Sequence, residues 1–310
     1  MKTFPMPGTD ITAPAVVLGL MRIQDKSDAE VRELVATALD AGIDFLDHAD
    51  IYGADMHGCE RRFAEAMQLT SSQREALTIQ SKAGIVREGP YFDFSYERIV
   101  TQVEGSLAAL GTDYLDILLL HRPDALVEPE EVARAFDELH AAGKVRHFGV
   151  SNHTPAQIEL LRKHVTQPLV ANQIQLSVTH APSIASGVAM NMRGLEQSID
   201  RDGGVVDYCR LHDITVQAWS PFQEGFFDGP FLGNERYAEL NGVVDRLSAK
   251  YGVPPEGIAV AWITRHPARM QVVLGTTTPA RVAAAAQGAD VELTRAEWYE
   301  MFRAAGHTVP

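Results

Sequence analysis

Residues 116–123 read Asp-Ile-Leu-Leu-Leu-His-Arg-Pro. Four consecutive apolar side chains, Ile117 to Leu120, leave no polar face, which is the pattern of a parallel strand buried on both sides. A histidine placed directly after such a run emerges at the carboxyl end of the strand. In a parallel barrel that end carries the active site. Two other stretches repeat the arrangement. Residues 44–53, DFLDHADIYG, set Asp47 and Tyr52 at the end of an apolar run, and residues 77–84, LTIQSKAG, do the same with Lys82. A carboxylate, a phenol, an ammonium and an imidazole therefore converge on successive strand ends, a set suited to proton donation at neutral pH.

Outward from these stretches, strand-like and helix-like segments alternate along the chain. The strands are expected at Ala15–Leu20, Asp44–Ala49, Leu77–Lys82, Tyr114–His121, Val145–Ser151, Val170–Leu176, Thr215–Trp219 and Val272–Leu274. Helices between them carry start and stop signals, such as Ser27 or Asp28 before a helix ending at Gly42, and Thr154-Pro155 opening another. Eight strand–helix units favour a closed (β/α)8 TIM barrel. An open doubly wound sheet is the alternative, because periodicity does not show closure, but no GxGxxG follows the first strand. Lys2–Ile11, with a turn at Pro7-Gly8, is expected to be a hairpin plugging the barrel's amino end, and Thr294–Ala304 an additional outer helix. No linker divides the chain, so residues 1–310 are expected to form one domain.

The formal charge of −14 argues against nucleic-acid binding and against an anionic membrane surface. It leaves room for an anionic ligand held by a local positive site. Two cysteines, Cys59 and Cys209, are too few for a disulfide framework and lack metal-ligand spacing. The beginning, MKTFPMPGTD, has no apolar signal core, and the longest apolar stretches, Ala13–Met21 and Leu115–Leu120, are far short of a bilayer span. A cytoplasmic protein acting on a small molecule is expected, as a monomer or weak homo-oligomer.

Singly, each of the four residues has a bland explanation: Asp47 as a turn cap, Tyr52 as packing, Lys82 as a solvated strand end, His121 as a loop histidine. Together they make chemical sense. A tyrosine titrates near 10 and is a reluctant acid at pH 7. A neighbouring ammonium favours its phenolate, Asp47 would hold that ammonium in place, and His121 could aim a substrate carbonyl at the phenol. His48, by strand alternation, should point away from Asp47 toward the helices. Asp200-Arg-Asp202-Gly203 lacks the remaining ligands of a calcium loop, and His48, Asp50 and His57 lack the spacing of a metallohydrolase.

These motifs, with GVSN at 149–152 and Asn172-Gln173, resemble the aldo-keto reductases in order from about Leu18 to Ala286. The resemblance implies a (β/α)8 barrel that moves a hydride between NADPH and an aldehyde or ketone. It implies Tyr52 as proton donor, Lys82 as the partner lowering its pKa, Asp47 as the anchor of that lysine and His121 as the carbonyl-orienting residue. It further implies Ser151, Asn152 and Gln173 at the nicotinamide carboxamide, Trp219 under the nicotinamide ring, and Ser220 and Phe222 opening the loop over the pyrophosphate. Thr276, Thr278 and Arg281 match the segment that receives the 2′-phosphate. Gly275 stands where many members carry a lysine, so the preference for NADPH is expected to be reduced and NADH use is possible. Because the carboxyl-terminal tail is short, the loop Gly84–Phe94, with Tyr91, Phe92 and Phe94, and the segment Ser177–Gly204 are expected to supply the pocket wall. A cofactor-binding protein without turnover is the competing reading.

Overall fold

The computed structural model describes residues 1–225 and 228–310. Strands β1 (Thr3–Pro5) and β2 (Thr12–Pro14) pair antiparallel as a hairpin. Its return strand lies beyond the expected limit at Ile11, because the turn reaches from Met6 to Ile11, closed by a bond from the Met6 amide to the Ile11 carbonyl at 2.9 Å. β3 (Val16–Gly19), β4 (Phe45–Asp47) and β5 (Thr78–Ala83) follow. A small antiparallel pair, β6 (Ile85–Val86) and β7 (Tyr91–Phe92), stands outside the barrel. β8 (Leu115–Leu120), β9 (Val145–Ser151), β10 (Leu169–Gln175), β11 (Thr215–Trp219) and β12 (Gln271–Leu274) complete the series.

Eight of these strands close on themselves in the order β10-β11-β12-β3-β4-β5-β8-β9, every pair parallel. Closure removes both sheet edges and disposes of the open-sheet alternative. β8 shows why its sequence had to be apolar on both faces. Leu118 and Leu120 pack outward with the helices, whereas Ile117 and Leu119 join Phe45, Val17, Val170 and Val273 inside the barrel floor. Met6 and Ala13 of the hairpin pack into that same inner cluster, so the amino end is plugged.

The surrounding helices start where the sequence signals them. Ser27 and Glu30 form a reciprocal capping box on the helix Asp28–Asp40, and Thr154 and Gln157 do so on Pro155–Arg162. The last helix, Arg295–Ala304, lies against Ala238–Tyr251 and Pro255–Thr264. Trp262 and Trp298 stack at 4.8 Å, and each indole N–H donates to the other's carbonyl oxygen.

Candidate active site

The ladder of β4 continues past Asp47 through the bonds His48 N–H to Gln80 O (2.8 Å) and Asp50 N–H to Lys82 O (3.2 Å). The chain then turns, with Tyr52 N–H donating to Ala49 O and Gly53 at φ 110°. That left-handed position, where a side chain would meet Gln24, requires glycine. The turn carries the Tyr52 phenol back over the barrel mouth toward Lys82.

Lys82, 1% exposed, spends all three ammonium protons. They go to Asp47 Oδ2 at 2.7 Å, the His48 carbonyl at 2.8 Å and the Tyr52 hydroxyl oxygen at 3.0 Å. Because the phenol accepts from the lysine, its own proton is not spent on that bond, and Tyr52 lines the cavity above. The His121 ring meets that of Tyr52 edge to face at 5.9 Å. All four sequence-expected side chains are thus brought together.

Asp47 is 2% exposed and held from a second side. Its Oδ1 accepts from Gln80 Nε2 at 2.6 Å and Gln173 Nε2 at 2.9 Å. These amides belong to a network the sequence reading missed. Gln80 and Gln217 exchange two bonds of 3.0 and 3.1 Å, Gln173 donates to Gln217 Oε1, and Gln217 donates to Gln271 Oε1. Gln271 in turn donates to the Pro14 carbonyl of the hairpin at 2.9 Å. The barrel interior therefore holds, beside its apolar cluster, a hydrogen-bonded run of amides that leads from the hairpin to the Lys82–Asp47 pair.

Burial pushes the Tyr52 phenol above its ordinary pKa, and the Lys82 charge only partly offsets this. The lysine acts in the expected lowering direction, and burial outweighs it. Burial alone would lower Lys82, but the Asp47 carboxylate and Tyr52 outweigh it and hold the ammonium charged. His121 is held well below the usual histidine range by burial, then by Lys82 and Arg122, so its imidazole is neutral at pH 7. Its Nδ1 is buried with no hydrogen-bond partner among the described residues. His48 does face the helices, its ring 5.0 Å from Phe63, and both its nitrogens lack partners among the described residues.

A cavity of about 1110 Å³ opens above these groups. Every residue proposed from sequence for the cofactor lines it: Ser151, Asn152, Gln173, Trp219, Ser220, Phe222, Thr276, Thr278 and Arg281. Three of them bind one another. Asn152 Nδ2 donates to Ser151 Oγ at 2.8 Å, and Trp219 Nε1 donates to Asn152 Oδ1 at 3.0 Å. Asn152 (φ 62°) and Ser220 (φ 53°) adopt left-handed backbone where their strands end, a strain of about 1 kcal/mol or more that concentrates at functional sites. Arg22, Arg122, Gln24 and Glu256 also line the cavity and were not anticipated. Arg22 reaches the Gly275 carbonyl at 3.4 Å, so a cation stands beside the position where the resemblance implied a lysine in many members.

The expected pocket wall is corrected. From the loop after β5 only Ile85 lines the cavity, and nothing from Ser177–Gly204 does. Tyr91 and Phe92 are exposed, while Phe94 is buried and stacks on His153. No group of acidic, histidine and cysteine side chains suited to a metal occurs among the described residues.

A family model described as the Aldo/keto reductase family matches residues 15–304. The chain belongs to that family. It is 33% identical over 313 residues to the uncharacterized oxidoreductase YcsN of Bacillus subtilis, covering 97% of each chain. It is 35% identical to the oxidoreductase YdhF of Escherichia coli, over 95% of this chain and 94% of that one. Against a 6-dehydroglucose reductase of Agrobacterium fabrum the identity is 32%, covering 93% and 92%. A crystal structure of the thermostable aldo-keto reductase Tm1743 with the inhibitor epalrestat shares the fold, with a TM-score of 0.78 at 22% identity over 98% of this chain and 100% of that one. This aldo-keto reductase is an NAD(P)H-dependent oxidoreductase. No helix among the described residues is long and apolar enough to cross a membrane.

Proposed function

We propose that the protein reduces aldehyde or ketone carbonyls to alcohols at the expense of NADPH, with Tyr52 as proton donor. The observation that carries this is the Lys82–Tyr52 bond: the phenol oxygen accepts from the ammonium, so the phenol proton is free to meet a carbonyl oxygen in the cavity. The Tyr52 pKa above the ordinary value keeps that proton on the oxygen until it is needed. As negative charge develops on the carbonyl oxygen, the proton moves to it, and Lys82 and the neutral His121 stabilise the resulting phenolate and the reacting oxygen. Asp47 keeps Lys82 charged and fixed. The reduced nicotinamide, when bound, supplies the hydride to the carbonyl carbon.

The lining fits that cofactor. The cavity exceeds the common range for small-molecule pockets, about 300–1000 Å³, as a dinucleotide beside a substrate requires. The Trp219 indole suits the nicotinamide face. Gln173 has its amide nitrogen committed to Asp47 and Gln217, which leaves its oxygen to accept from the carboxamide. Arg281 at the start of the helix Pro279–Ala286, with Thr276 and Thr278, suits the 2′-phosphate, and Arg22 suits the diphosphate. NADPH is then preferred over NADH, with NADH usable. Further support comes from the similarity to the relative named 6-dehydroglucose reductase. The same reading has residues 1–310 act as one cytoplasmic domain, alone or as a weak homo-oligomer, with two buried free thiols suited to a reducing compartment.

The test is oxidation of NADPH with a panel of aldehydes and ketones, alongside cofactor binding followed by fluorescence. Turnover on at least one carbonyl class is expected. Cofactor binding without turnover on any carbonyl would replace this reading with that of a binding protein.

A further inference from the structure

Arg122 follows β8 directly after His121 and lines the active-site cavity. Its guanidinium lies 5.7 Å from the centre of the Trp219 ring. Among the described residues no carboxylate pairs with it and no protein acceptor takes its protons. The other charged groups near the reacting centre are already matched: Lys82 is paired with Asp47, and the adjacent Asp124 accepts from the Phe94 and Leu126 backbone amides. In the barrel order β8 lies four strands from β12, diametrically across the mouth from Gly275–Arg281. Arg122 thus starts across the mouth from the groups suited to the cofactor's phosphates and beside His121, and its guanidinium extends toward Trp219.

We infer that Arg122 is a specificity-determining residue that binds an anionic group, a carboxylate or an equivalent oxyanion, on the carbonyl substrate. The inference rests on the carbonyl-reductase reading and narrows it to aldehydes or ketones that carry a negative charge. A guanidinium offers paired donors in the planar geometry a carboxylate matches. A cation left without a counter-ion in a confined cavity raises the local potential and draws anions in. Burial lowers the Arg122 pKa and the Tyr52 phenol acts against this, and both residues line the same cavity. One molecule can therefore present its carbonyl oxygen to Tyr52 and His121 and its anionic end to Arg122.

The test compares two aldehydes of nearly equal shape, para-carboxybenzaldehyde and para-carbamoylbenzaldehyde, and also succinic semialdehyde with its carboxamide. For the wild type, kcat/KM should favour the carboxylate of each pair by roughly ten- to hundredfold, the value of one charge-assisted contact. The advantage should shrink as salt is raised. Arg122→Met should bring the ratio near one, chiefly through KM for the carboxylate, and Arg122→Lys should keep part of it. Should the methionine variant not fold, Arg122→Gln serves in its place. A wild-type ratio near one, or a ratio that survives removal of the guanidinium, overturns the inference while leaving carbonyl reduction intact. If no aldehyde is reduced at all, the carbonyl-reductase reading falls, and binding decides separately. Para-(hydroxymethyl)benzoate should then quench the tryptophan fluorescence of the NADP⁺ complex in the wild type and not in the Arg122 variant. Equal quenching in both, or none in either, rejects the anion site.

Discussion

Gln217→Leu removes the centre of the amide layer while keeping nearly the same volume. Gln217 is fully buried and takes part in four hydrogen bonds, two with Gln80, one with Gln173 and one with Gln271. The consequences differ by partner. Gln80 Nε2 and Gln173 Nε2 both keep Asp47 Oδ1 as acceptor. Gln80 Oε1 and Gln271 Oε1, by contrast, lose the only donor that faces them among the described residues. A buried polar atom left without a partner costs about 1–3 kcal/mol, so the two together should destabilise the protein by about 2–6 kcal/mol. Urea unfolding followed by tryptophan fluorescence should show the midpoint fall with little change in slope. Because Asp47 keeps all three of its own bonds, kcat should fall far less than stability does. A destabilisation under about 1 kcal/mol would mean that the bonds made by Gln217 contribute little to stability.

His48 and His153 are both pushed down to about 4 by burial, so the folded chain keeps them neutral while unfolded histidines, near 6.5, take up protons. Stability should therefore fall as pH drops from about 6.5 to 4, by about 3 kcal/mol per group. His48→Leu should make that acid limb shallower, and an unchanged limb in pH-dependent thermal unfolding would reject this cause. Asp50 is fully buried, both its carboxylate oxygens lack partners among the described residues, and burial with the nearby Glu60 holds its pKa well above the carboxylate range. Folding then requires a proton that the unfolded chain releases above about pH 4, so Asp50→Asn should raise the melting temperature at pH 8 and lose the gain toward pH 3. No gain at pH 8 would show that the carboxyl is satisfied in solution. Arg281→Ala should remove most of the preference for NADPH over NADH, roughly ten- to hundredfold in relative affinity. Equal weakening of both cofactors, measured by fluorescence titration, would assign the 2′-phosphate to another group such as Arg22.

The barrel could be read from the sequence because each strand is buried on both faces or carries its polar residue where the strand ends. The tetrad was readable for the same reason: Asp47, Lys82 and His121 sit at three such ends, and the Gly53 turn returns Tyr52 to them. The amide layer was overlooked although its signal was present, since Gln80 lies two residues before Lys82 and Gln217 two before Trp219, on the same inward face. The pocket wall was misjudged because aromatic content does not fix where a loop points. Phe94 turns inward onto His153, and Tyr91 and Phe92 remain outside. The burial that outweighs Lys82 at Tyr52 was not legible because desolvation depends on depth in the fold, which spacing along the chain does not report. Arg122 escaped notice beside His121, as the lack of a counter-ion is visible only in three dimensions.

The central claim is that the Tyr52 proton, directed by Lys82 into the cavity, completes carbonyl reduction. Tyr52→Phe removes that proton while keeping the ring, so single-turnover oxidation of enzyme-bound NADPH by an aldehyde tests it most directly. The rate should fall by roughly 10²–10⁴-fold, with NADPH affinity close to that of the wild type. A variant that oxidises its bound NADPH at nearly the wild-type rate would contradict the assignment of the donor.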